Sequence, residues 1–226
     1  MIGNNHEEIA MKKLMVRRSL FISFEGGDGA GKSSQIAHLS DFLSQKFHSH
    51  VLTREPGGVA SAEAMRSILV DSQNKLDAIS ELLLFMAARR EHWLARVVPA
   101  LAAGHIVLCD RFTDSTFAYQ AAGRGLDRNL IAYLTEQIGV ATPDLTFILD
   151  VPVEIALARV QKRATTRGET LSQMEKLSGD FHQRVRQEYL AIAAAAPQRC
   201  RVLDGTLPEM ALAAKIAAEI AAHMGW

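Results

Sequence analysis

A glycine-rich segment near the start of the chain carries a lysine and a serine at a spacing that suits phosphate binding. Residues 26–33 read Gly-Gly-Asp-Gly-Ala-Gly-Lys-Ser. Glycines let several backbone N–H groups point at phosphate oxygens, and a helix that opens after the loop adds partial positive charge. The lysine can reach the terminal phosphates of a nucleoside triphosphate, and the serine hydroxyl can bind Mg²⁺. The residues predicted to contact the triphosphate are Gly26, Gly27, Asp28, Gly29, Ala30, Gly31, Lys32, Ser33 and Ser34.

Two arginines follow predicted strands, where a second anionic substrate can be held. Arg54 ends an apolar run and begins the sequence Arg-Glu-Pro-Gly-Gly, and Arg111 follows Asp110 after another apolar run. The carboxyl ends of parallel strands meet at one edge of a sheet, so these side chains are expected near the glycine loop. An arginine can bind two phosphate oxygens at once. A small-molecule kinase needs such cations because charge spreads over the transferring phosphoryl group.

A third basic segment has the composition of a mobile lid. Residues 161–169 read Gln-Lys-Arg-Ala-Thr-Thr-Arg-Gly-Glu, with arginines at 163 and 167. A lid over about residues 161–176 is expected to fold across the triphosphate and exclude water. Taken alone, the segment also fits a solvated helix end with a run of charges.

The elements that position these segments alternate along the chain. Short apolar runs bounded by charges or turn residues predict strands at 20–24, 50–53, 105–109, 145–149 and 201–203. Helical patterns lie at 33–47, 60–70, 80–103, 128–140, 153–163, 178–195 and 208–224. Pro99 is expected to kink or break the third of these helices. The alternation predicts an α/β P-loop fold with a parallel sheet covered on both faces, as a single domain over residues 19–226.

Composition excludes some classes of protein. The 226 residues carry 25 Lys and Arg against 25 Asp and Glu, and this balance argues against a protein that coats nucleic acid. No apolar run approaches the ~20 residues of a membrane span. Cys109 and Cys200 have no metal-ligand spacing and suit a reducing, cytoplasmic setting. Residues 1–18 are polar and mixed in charge, and we expect a poorly ordered tail there.

One motif points to a different function. Residues 74–77 read Asn-Lys-Leu-Asp, the pattern with which guanine-nucleotide switches recognise their base. The motif comes too soon after the glycine loop and follows no recognisable strand. It is interpreted as a coincidence within a polar loop between two helices.

From about residue 20 onward the chain resembles the thymidylate kinases, the dTMP kinases of the nucleoside monophosphate kinase group. The resemblance rests on Phe-Glu-Gly at 24–26, Thr-Arg-Glu-Pro-Gly-Gly at 53–58, Phe-Met-Ala-Ala-Arg at 85–89, Asp-Arg-Phe at 110–112, Ser-Thr-Phe-Ala-Tyr-Gln at 115–120, Gly-Arg-Gly at 123–125, Pro-Asp-Leu at 143–145 and Leu-Asp-Val at 149–151. It implies a five-stranded parallel sheet with a short mobile lid. It also implies ATP-dependent, Mg²⁺-assisted phosphorylation of dTMP to dTDP in dTTP biosynthesis, and a homodimer.

The resemblance also implies roles for individual residues. Phe85 would stack on the thymine ring and Arg89 would donate to its carbonyl edge, although core packing is the alternative for Phe85. Tyr119 would crowd a 2′-hydroxyl and so select deoxyribose. The residues implied to contact dTMP are Asp28, Arg54, Glu55, Phe85, Arg89, Asp110, Arg111, Thr116, Tyr119 and Gln120. Ser33 and Asp110 are implied at the Mg²⁺ site, and adenine is expected near the turn at 203–206.

Members of the family carry a catalytic arginine either in the glycine loop or in the lid. Positions 27–30 hold no arginine, so the resemblance assigns catalysis to Lys32, Arg111, Arg163 and Arg167. After residue 168 the chain departs from the pattern, because the expected Asp-Arg-x-Glu reads Ser-Gln-Met-Glu at 172–175 and one lid arginine is missing. Two alternatives stay open. They are a kinase for another nucleotide or deoxynucleoside, and a nucleotide-binding homologue with weak turnover.

Overall fold

A five-stranded sheet forms the centre of the molecule. The computed structural model describes residues 19–71, 73–168 and 170–226, and the tail expected at 1–18 lies outside the described residues. The strands are β1 (Leu20–Glu25), β2 (His50–Arg54), β3 (Ile106–Asp110), β4 (Leu145–Asp150) and β5 (Cys200–Asp204). Their order is β2-β3-β1-β4-β5, and every neighbouring pair is parallel. The predicted parallel α/β sheet and its five strands are confirmed.

Helices connect consecutive strands and cover the sheet. They are α1 (Lys32–Gln45), α2 (Ala60–Val70), α3 (Ala78–His92), α4 (Val98–Ala102), α5 (Thr113–Thr116), α6 (Arg128–Gln137), α7 (Val153–Arg167), α8 (Gly179–Ala195) and α9 (Glu209–Met224). Two π-helical segments, π1 (Trp93–Val97) and π2 (Phe117–Gly123), follow α3 and α5 directly. Among the described residues, no helix has the length and hydropathy needed to cross a lipid bilayer.

Alternate residues of β1 supply two separate cores, as expected for a strand covered on both faces. Ile22 and Phe24 pack with α1 and α9 on one side of the sheet. Phe21 packs on the other side with Trp93 and Phe112. A further cluster joins α8 to the same side of the sheet through Tyr189 and its neighbours. The helices therefore lie on both faces, as the alternating sequence pattern predicts.

Three differences from the sequence interpretation concern the helices. The helix expected at 153–163 continues to Arg167, because the first residue able to end it, Gly168, adopts a left-handed conformation there. The helix expected at 80–103 changes to π-helical geometry at Trp93, so a π segment and not Pro99 interrupts it. Residues 113–123 form α5 and π2, for which no helix was predicted.

The Asn-Lys-Leu-Asp motif has a structural role in this fold. Asp77 is the N-cap of α3, and its carboxylate accepts hydrogen bonds from the backbone N–H groups of Ile79 and Ser80. Capping satisfies backbone donors that a helix cannot pair internally. The aspartate of the motif is thus a helix cap, and this role involves no nucleotide.

Candidate active site

One large cavity opens at the carboxyl-terminal edge of the sheet and has a volume of about 690 Å³. The sequence-predicted site residues that line it are Asp28, Gly29, Gly31, Lys32, Ser33, Ser34, Arg54, Glu55, Phe85, Arg89, Asp110, Arg111, Thr116, Tyr119, Gln120, Arg163 and Arg167. Gly26, Gly27 and Ala30 are not among its lining residues. Residues separated by more than a hundred positions thus share one concave surface, as is typical of a ligand site at such a sheet edge.

The glycine loop joins β1 to α1 and packs against the start of α7. Gly29 has φ +81°, and a Cβ there would lie 2.3 Å from the carbonyl oxygen of Ala156. Only glycine fits such a contact. Lys32 follows the loop, and its Nζ donates to the carbonyl oxygens of Gly26 at 3.1 Å and Gly27 at 3.0 Å. Burial, with Arg111 nearby, lowers the pKa of Lys32 to about 8. The arrangement leaves a buried ammonium group that a negatively charged ligand would stabilise.

Ser33 and Asp110 meet across the loop. Ser33 Oγ donates to Oδ2 of Asp110 at 3.0 Å. The other carboxylate oxygen, Oδ1, is buried and has no hydrogen-bond partner among the described residues. Mg²⁺ prefers oxygen ligands and is usually held by one or two protein groups together with substrate phosphates. A serine hydroxyl beside a carboxylate oxygen without a partner therefore suits Mg²⁺, the ion that the sequence implies at this site.

Arg111 adopts a strained backbone conformation that directs its side chain to the loop. Its φ is +70°, which is uncommon for a residue with a Cβ. Its backbone N–H donates to the carbonyl oxygen of Phe24 at 2.9 Å, and this contact helps to hold the conformation. Nη2 donates to Oδ1 of Asp28 at 2.6 Å and to the hydroxyl of Tyr119 at 3.1 Å. Strain of this kind concentrates at functional sites.

Asp28 lies at the centre of this cluster. Tyr119 donates its hydroxyl hydrogen to Oδ2 of Asp28 at 3.1 Å. Burial pushes the pKa of Asp28 upward, but Arg111 and Lys32 outweigh it, and the pKa is lowered overall. Asp28 therefore remains an anion between two cations, and it can accept a hydrogen bond from a hydroxyl group of a ligand.

Glu25, at the end of β1, contacts residues next to Arg111 and on α5 and α8. The sequence reasoning did not assign it a role. Its carboxylate accepts from the backbone N–H of Phe112 at 2.7 Å, from Ser115 Oγ at 2.6 Å and from the Tyr189 hydroxyl at 3.1 Å. Burial, followed by the charge of Asp114, raises the pKa of Glu25 to about 7. The available signal was a carboxylate at the end of an apolar strand directly before the loop.

The opposite side of the cavity is built around Arg89, which is only 2% exposed. Its Nε donates to Oε2 of Glu55 at 2.6 Å, its Nη1 to Oγ1 of Thr116 at 2.8 Å, and its Nη2 to the carbonyl oxygen of Phe112 at 3.0 Å. Phe85 lies one helical turn earlier on α3, is half-buried and lines the same cavity. An aromatic ring next to a fixed guanidinium group can hold a planar ring with carbonyl oxygens.

A second buried carboxylate orients Gln120. Its Nε2 donates to Oε1 of Glu81 at 3.0 Å, and Arg124 donates to Oε2 of Glu81 at 2.8 Å. Glu81 is 1% exposed, so this pairing keeps a buried charge satisfied. Sequence reasoning missed Glu81, which is separated from Gln120 by 39 positions and is brought to it only by the packing of α3 against π2.

The lid arginines lie on a helix. The first part of the segment predicted as a lid, residues 161–167, belongs to α7. Arg163 forms an ion pair with Glu175, whose Oε2 also accepts from the backbone N–H of Ser172 at 2.8 Å. Arg167 lines the cavity as well. Both arginines follow Ala156 and Arg159 on the same helix, and these two residues contact Gly29 of the glycine loop.

Two further arginines border the cavity, and the sequence reasoning did not select them. Arg66 on α2 donates to the carbonyl oxygen of Pro56 at 2.8 Å, close to the predicted phosphate contact Arg54. Arg54 itself pairs with both carboxylate oxygens of Glu63 at 3.0 Å. Arg159 on α7 donates to the carbonyl oxygen of Gly205 at 2.9 Å. Both missed arginines lie within regular helices, where a single cation carries no sequence signal of function.

Comparison with known proteins gives one consistent family. The sequence model of the thymidylate kinase family matches residues 24–216. The thymidylate kinase of Chromohalobacter salexigens is 48% identical over 203 residues, which cover 88% of this chain and 94% of that protein. The thymidylate kinase of Caulobacter vibrioides is 43% identical over 92% of this chain and 99% of that protein. The crystal structure of thymidylate kinase from Ehrlichia chaffeensis superimposes with a TM-score of 0.72 at 37% identity, covering 89% of this chain and 98% of that one.

Proposed function

This chain belongs to the thymidylate kinase family, and on that premise we propose that it transfers the γ-phosphoryl group of ATP to the phosphate of dTMP. The products are dTDP and ADP. The observation that carries the proposal is that one cavity is lined both by the loop residues Gly31 to Ser34 and by the Phe85 and Arg89 pair. A phosphate-binding loop and a site for a planar base thus face a common space, as in-line transfer between two nucleotides requires.

In the proposed reaction, an oxygen of the dTMP phosphate attacks the γ-phosphorus of ATP. The bond from that phosphorus to the β–γ bridging oxygen breaks, and its electron pair leaves with ADP. Arg111 would bind the acceptor phosphate, and Asp28 would keep Arg111 oriented through their 2.6 Å contact. Phe85 and Arg89 would hold the thymine, with Thr116, Tyr119 and Gln120 beside the base and sugar. Arg54 would add a cation at the phosphate end.

Positive charge around the transferring group is the main catalytic contribution in this proposal. Lys32 would leave the carbonyl oxygens of Gly26 and Gly27 for the β- and γ-phosphates. Arg163 and Arg167 would approach from α7, replacing the arginine that the glycine loop lacks. Charge placed in advance where charge develops lowers the barrier without any covalent intermediate on the protein.

We assign Mg²⁺ to the pair Ser33 and Asp110. The unsatisfied buried Oδ1 of Asp110 and the hydroxyl of Ser33 supply the oxygen atoms that this ion prefers. Held there together with ATP, the ion would supply positive charge to the triphosphate.

We also propose that the protein forms a homodimer through the exposed apolar side chains of the α3 to α4 run. Ile79 and Leu83 lie four residues apart on α3 and are 42% and 50% exposed. Leu94 and Val98 follow along the same run and are 47% and 39% exposed. Apolar side chains spaced by one helical turn form a stripe that a second helix can cover.

The function is tested by ADP release measured with dTMP, dUMP, AMP, CMP, GMP and thymidine as acceptors. We expect dTMP to give by far the largest kcat/KM. Turnover with thymidine but not dTMP would contradict the proposed substrate. Binding of dTMP without ADP release would instead identify a nucleotide-binding homologue.

A further inference from the structure

A buried line of polar side chains runs from the cavity into the interior behind Arg89. Glu55 Oε2 accepts from Arg89 Nε at 2.6 Å, and the other carboxylate oxygen, Oε1, lies 2.9 Å from Nδ1 of His92. The second ring nitrogen of His92, Nε2, lies 2.6 Å from Oγ1 of Thr53. His92 has 0% exposure, so a ligand in the cavity cannot contact it directly.

The chemistry of these groups determines what the line can do. A carboxylate has acceptors only, so Nδ1 of His92 carries a hydrogen and donates it to Glu55. Each oxygen of Glu55 then has its own donor, and rotation of the carboxylate is blocked. Arg89 is held at three of its five N–H groups by residues that the structure describes, Glu55, Thr116 and Phe112. One N–H on each terminal nitrogen is left over for a ligand.

The turn after β2 closes over the imidazole ring. Gly58 has φ +86°, and a Cβ there would lie 2.7 Å from Cδ2 of His92 and 2.6 Å from Oγ1 of Thr53. A glycine at this position therefore lets the turn approach both partners. His92 is also the last residue of α3, directly before π1. The end of β2, the turn at Gly58 and the end of α3 thus meet at the His92 side chain, and these contacts fix its orientation.

We infer that His92 is a positioning residue for recognition of the acceptor base. It acts through Glu55, which orients Arg89, and Arg89 donates to the base. The inference rests on the proposed function. Its effect is directed to the base and not to the acceptor phosphate. The contacts assigned above to the phosphates, Lys32, Arg54 and Arg111, have hydrogen-bond partners outside this line.

The experiment uses His92→Leu, which removes the donor to Glu55, and His92→Asn, whose amide can replace Nδ1. KM is measured for dTMP and for ATP. An inhibition constant is measured for deoxyribose 5-phosphate, which carries the acceptor phosphate without a base. For His92→Leu we expect KM for dTMP to rise roughly tenfold, since a buried charged group loses a hydrogen-bond partner. KM for ATP and the inhibition constant should stay within twofold. His92→Asn should recover most of the loss, and Arg89→Ala should give the upper limit of the effect.

A matched control is available on β2, the strand that carries Thr53. His50 begins β2 at the opposite end of the sheet, where its Nε2 lies 2.7 Å from Oγ of Ser40. His50→Asn should leave all three constants unchanged. If His92→Leu does not fold, Thr53→Val removes the other partner of the ring and should raise KM for dTMP alone, by a smaller factor.

Two results would overturn the inference while the unaltered protein still phosphorylates dTMP. One is an unchanged KM for dTMP in His92→Leu. The other is an equal loss for dTMP, ATP and deoxyribose 5-phosphate, which would make His92 a folding residue only. Absence of dTMP turnover in the unaltered protein would overturn the proposed function itself. Turnover of the unaltered protein is therefore measured before that of any variant.

Discussion

Glu25 and Asp28 are three positions apart, yet their surroundings move their pKa values in opposite directions. Asp28 faces Arg111 and Lys32, which lower its pKa although burial opposes them. Glu25 is buried behind the loop beside Asp114, and its pKa rises to about 7. The carboxylate nearest the cavity thus remains charged, whereas the one behind it takes up a proton near neutral pH.

This shift predicts how Glu25 affects stability. In the unfolded chain a glutamate titrates near 4.5, and in the folded protein Glu25 titrates at about 7. Between these values the folded state holds a proton that the unfolded state has released, so stability from this group is present at low pH and is lost as the pH rises toward 7. Glu25→Gln cannot titrate. We expect the free energy of unfolding of the variant, relative to the unaltered protein, to rise by about 3 kcal/mol between pH 4.5 and pH 7.5.

The measurement is urea unfolding at several pH values. The exposed Glu136 offers a control, because Glu136→Gln should follow the unaltered protein across the range. Parallel curves for Glu25→Gln and the unaltered protein would contradict the pKa shift.

Lys32 supports a second prediction at this scale. Replacing it by Ala removes the ammonium group that the proposed reaction moves to the terminal phosphates. We expect kcat to fall on the order of 100- to 1000-fold, in line with the loss of one preorganised donor. Circular dichroism and the melting temperature should show an intact fold, since burial already disfavours the charged lysine. Near-normal turnover would refute the role of the loop.

Individual site residues were predictable where they stand in short motifs and not where they pair over long distances. The motif residues Arg89, Asp110 and Tyr119 line the cavity as expected. Glu81 and His92 were missed, because their hydrogen-bond partners Gln120 and Glu55 are 39 and 37 positions away, respectively. Such pairings are set by helix packing, which a motif in one segment does not encode.

At the scale of elements, α7 is the part that most affects the proposed catalysis. Its last turns carry Arg163 and Arg167, and Arg163 is paired with Glu175. Glu175 belongs to the segment 172–175, where the family resemblance implies an arginine that this sequence lacks. In the proposed reaction, binding of Arg163 to a phosphate would therefore compete with its pairing to Glu175.

This competition predicts the effect of Glu175→Gln. Partly exposed ion pairs contribute up to about 1 kcal/mol, so releasing Arg163 should lower KM for ATP roughly two- to fivefold. The effect is measured by initial rates at saturating dTMP. Glu219→Gln is a control, because it breaks an ion pair with Arg201 that does not line the cavity. An unchanged KM for ATP would mean that the pair does not restrain Arg163.

Elements were predicted best where an uninterrupted apolar run is bounded by charged or turn residues. All five strands were found, because the sheet interior requires uninterrupted apolar runs. The helix at 113–123 was missed, since its second part is π-helical and lacks the 3.6-residue period on which sequence reasoning depends. That element carries Tyr119 and Gln120 to the cavity, so the missed geometry belongs to the site itself.

At the scale of the whole molecule, the α3 to α4 run presents two different faces. Leu82 and Val97 are fully buried within the chain, whereas Leu83 and Leu94 are about half exposed. The apolar pattern in the sequence could not distinguish an internal core from a surface for a second copy, because both need apolar side chains. The structure assigns the former role to one face, and within residues 19–71, 73–168 and 170–226 nothing covers the other face.

The proposed homodimer gives a prediction for this face. We expect the unaltered protein to have about twice its chain mass of 24.8 kDa in light scattering. Leu83→Glu combined with Leu94→Glu should give monomers, because burying two carboxylates in an apolar interface is unfavourable. Met210, an exposed side chain on α9, offers the control Met210→Glu, which should leave the mass unchanged. A monomeric unaltered protein would reject the dimer.

The close contact between Gly29 and Ala156 limits how α7 can move. Ala156 on α7 contacts the glycine loop, and Arg159 on the same helix donates to the carbonyl oxygen of Gly205, which follows β5. The first two turns of α7 are therefore held against the rest of the protein. Any hinge for closure must therefore lie beyond Arg159. From there to Arg167 the helix extends for about 12 Å, at ~1.5 Å per residue. In the lid closure that the sequence predicts, this part of the helix would move, and a small bend at its base would be sufficient to carry Arg163 and Arg167 toward the bound phosphates.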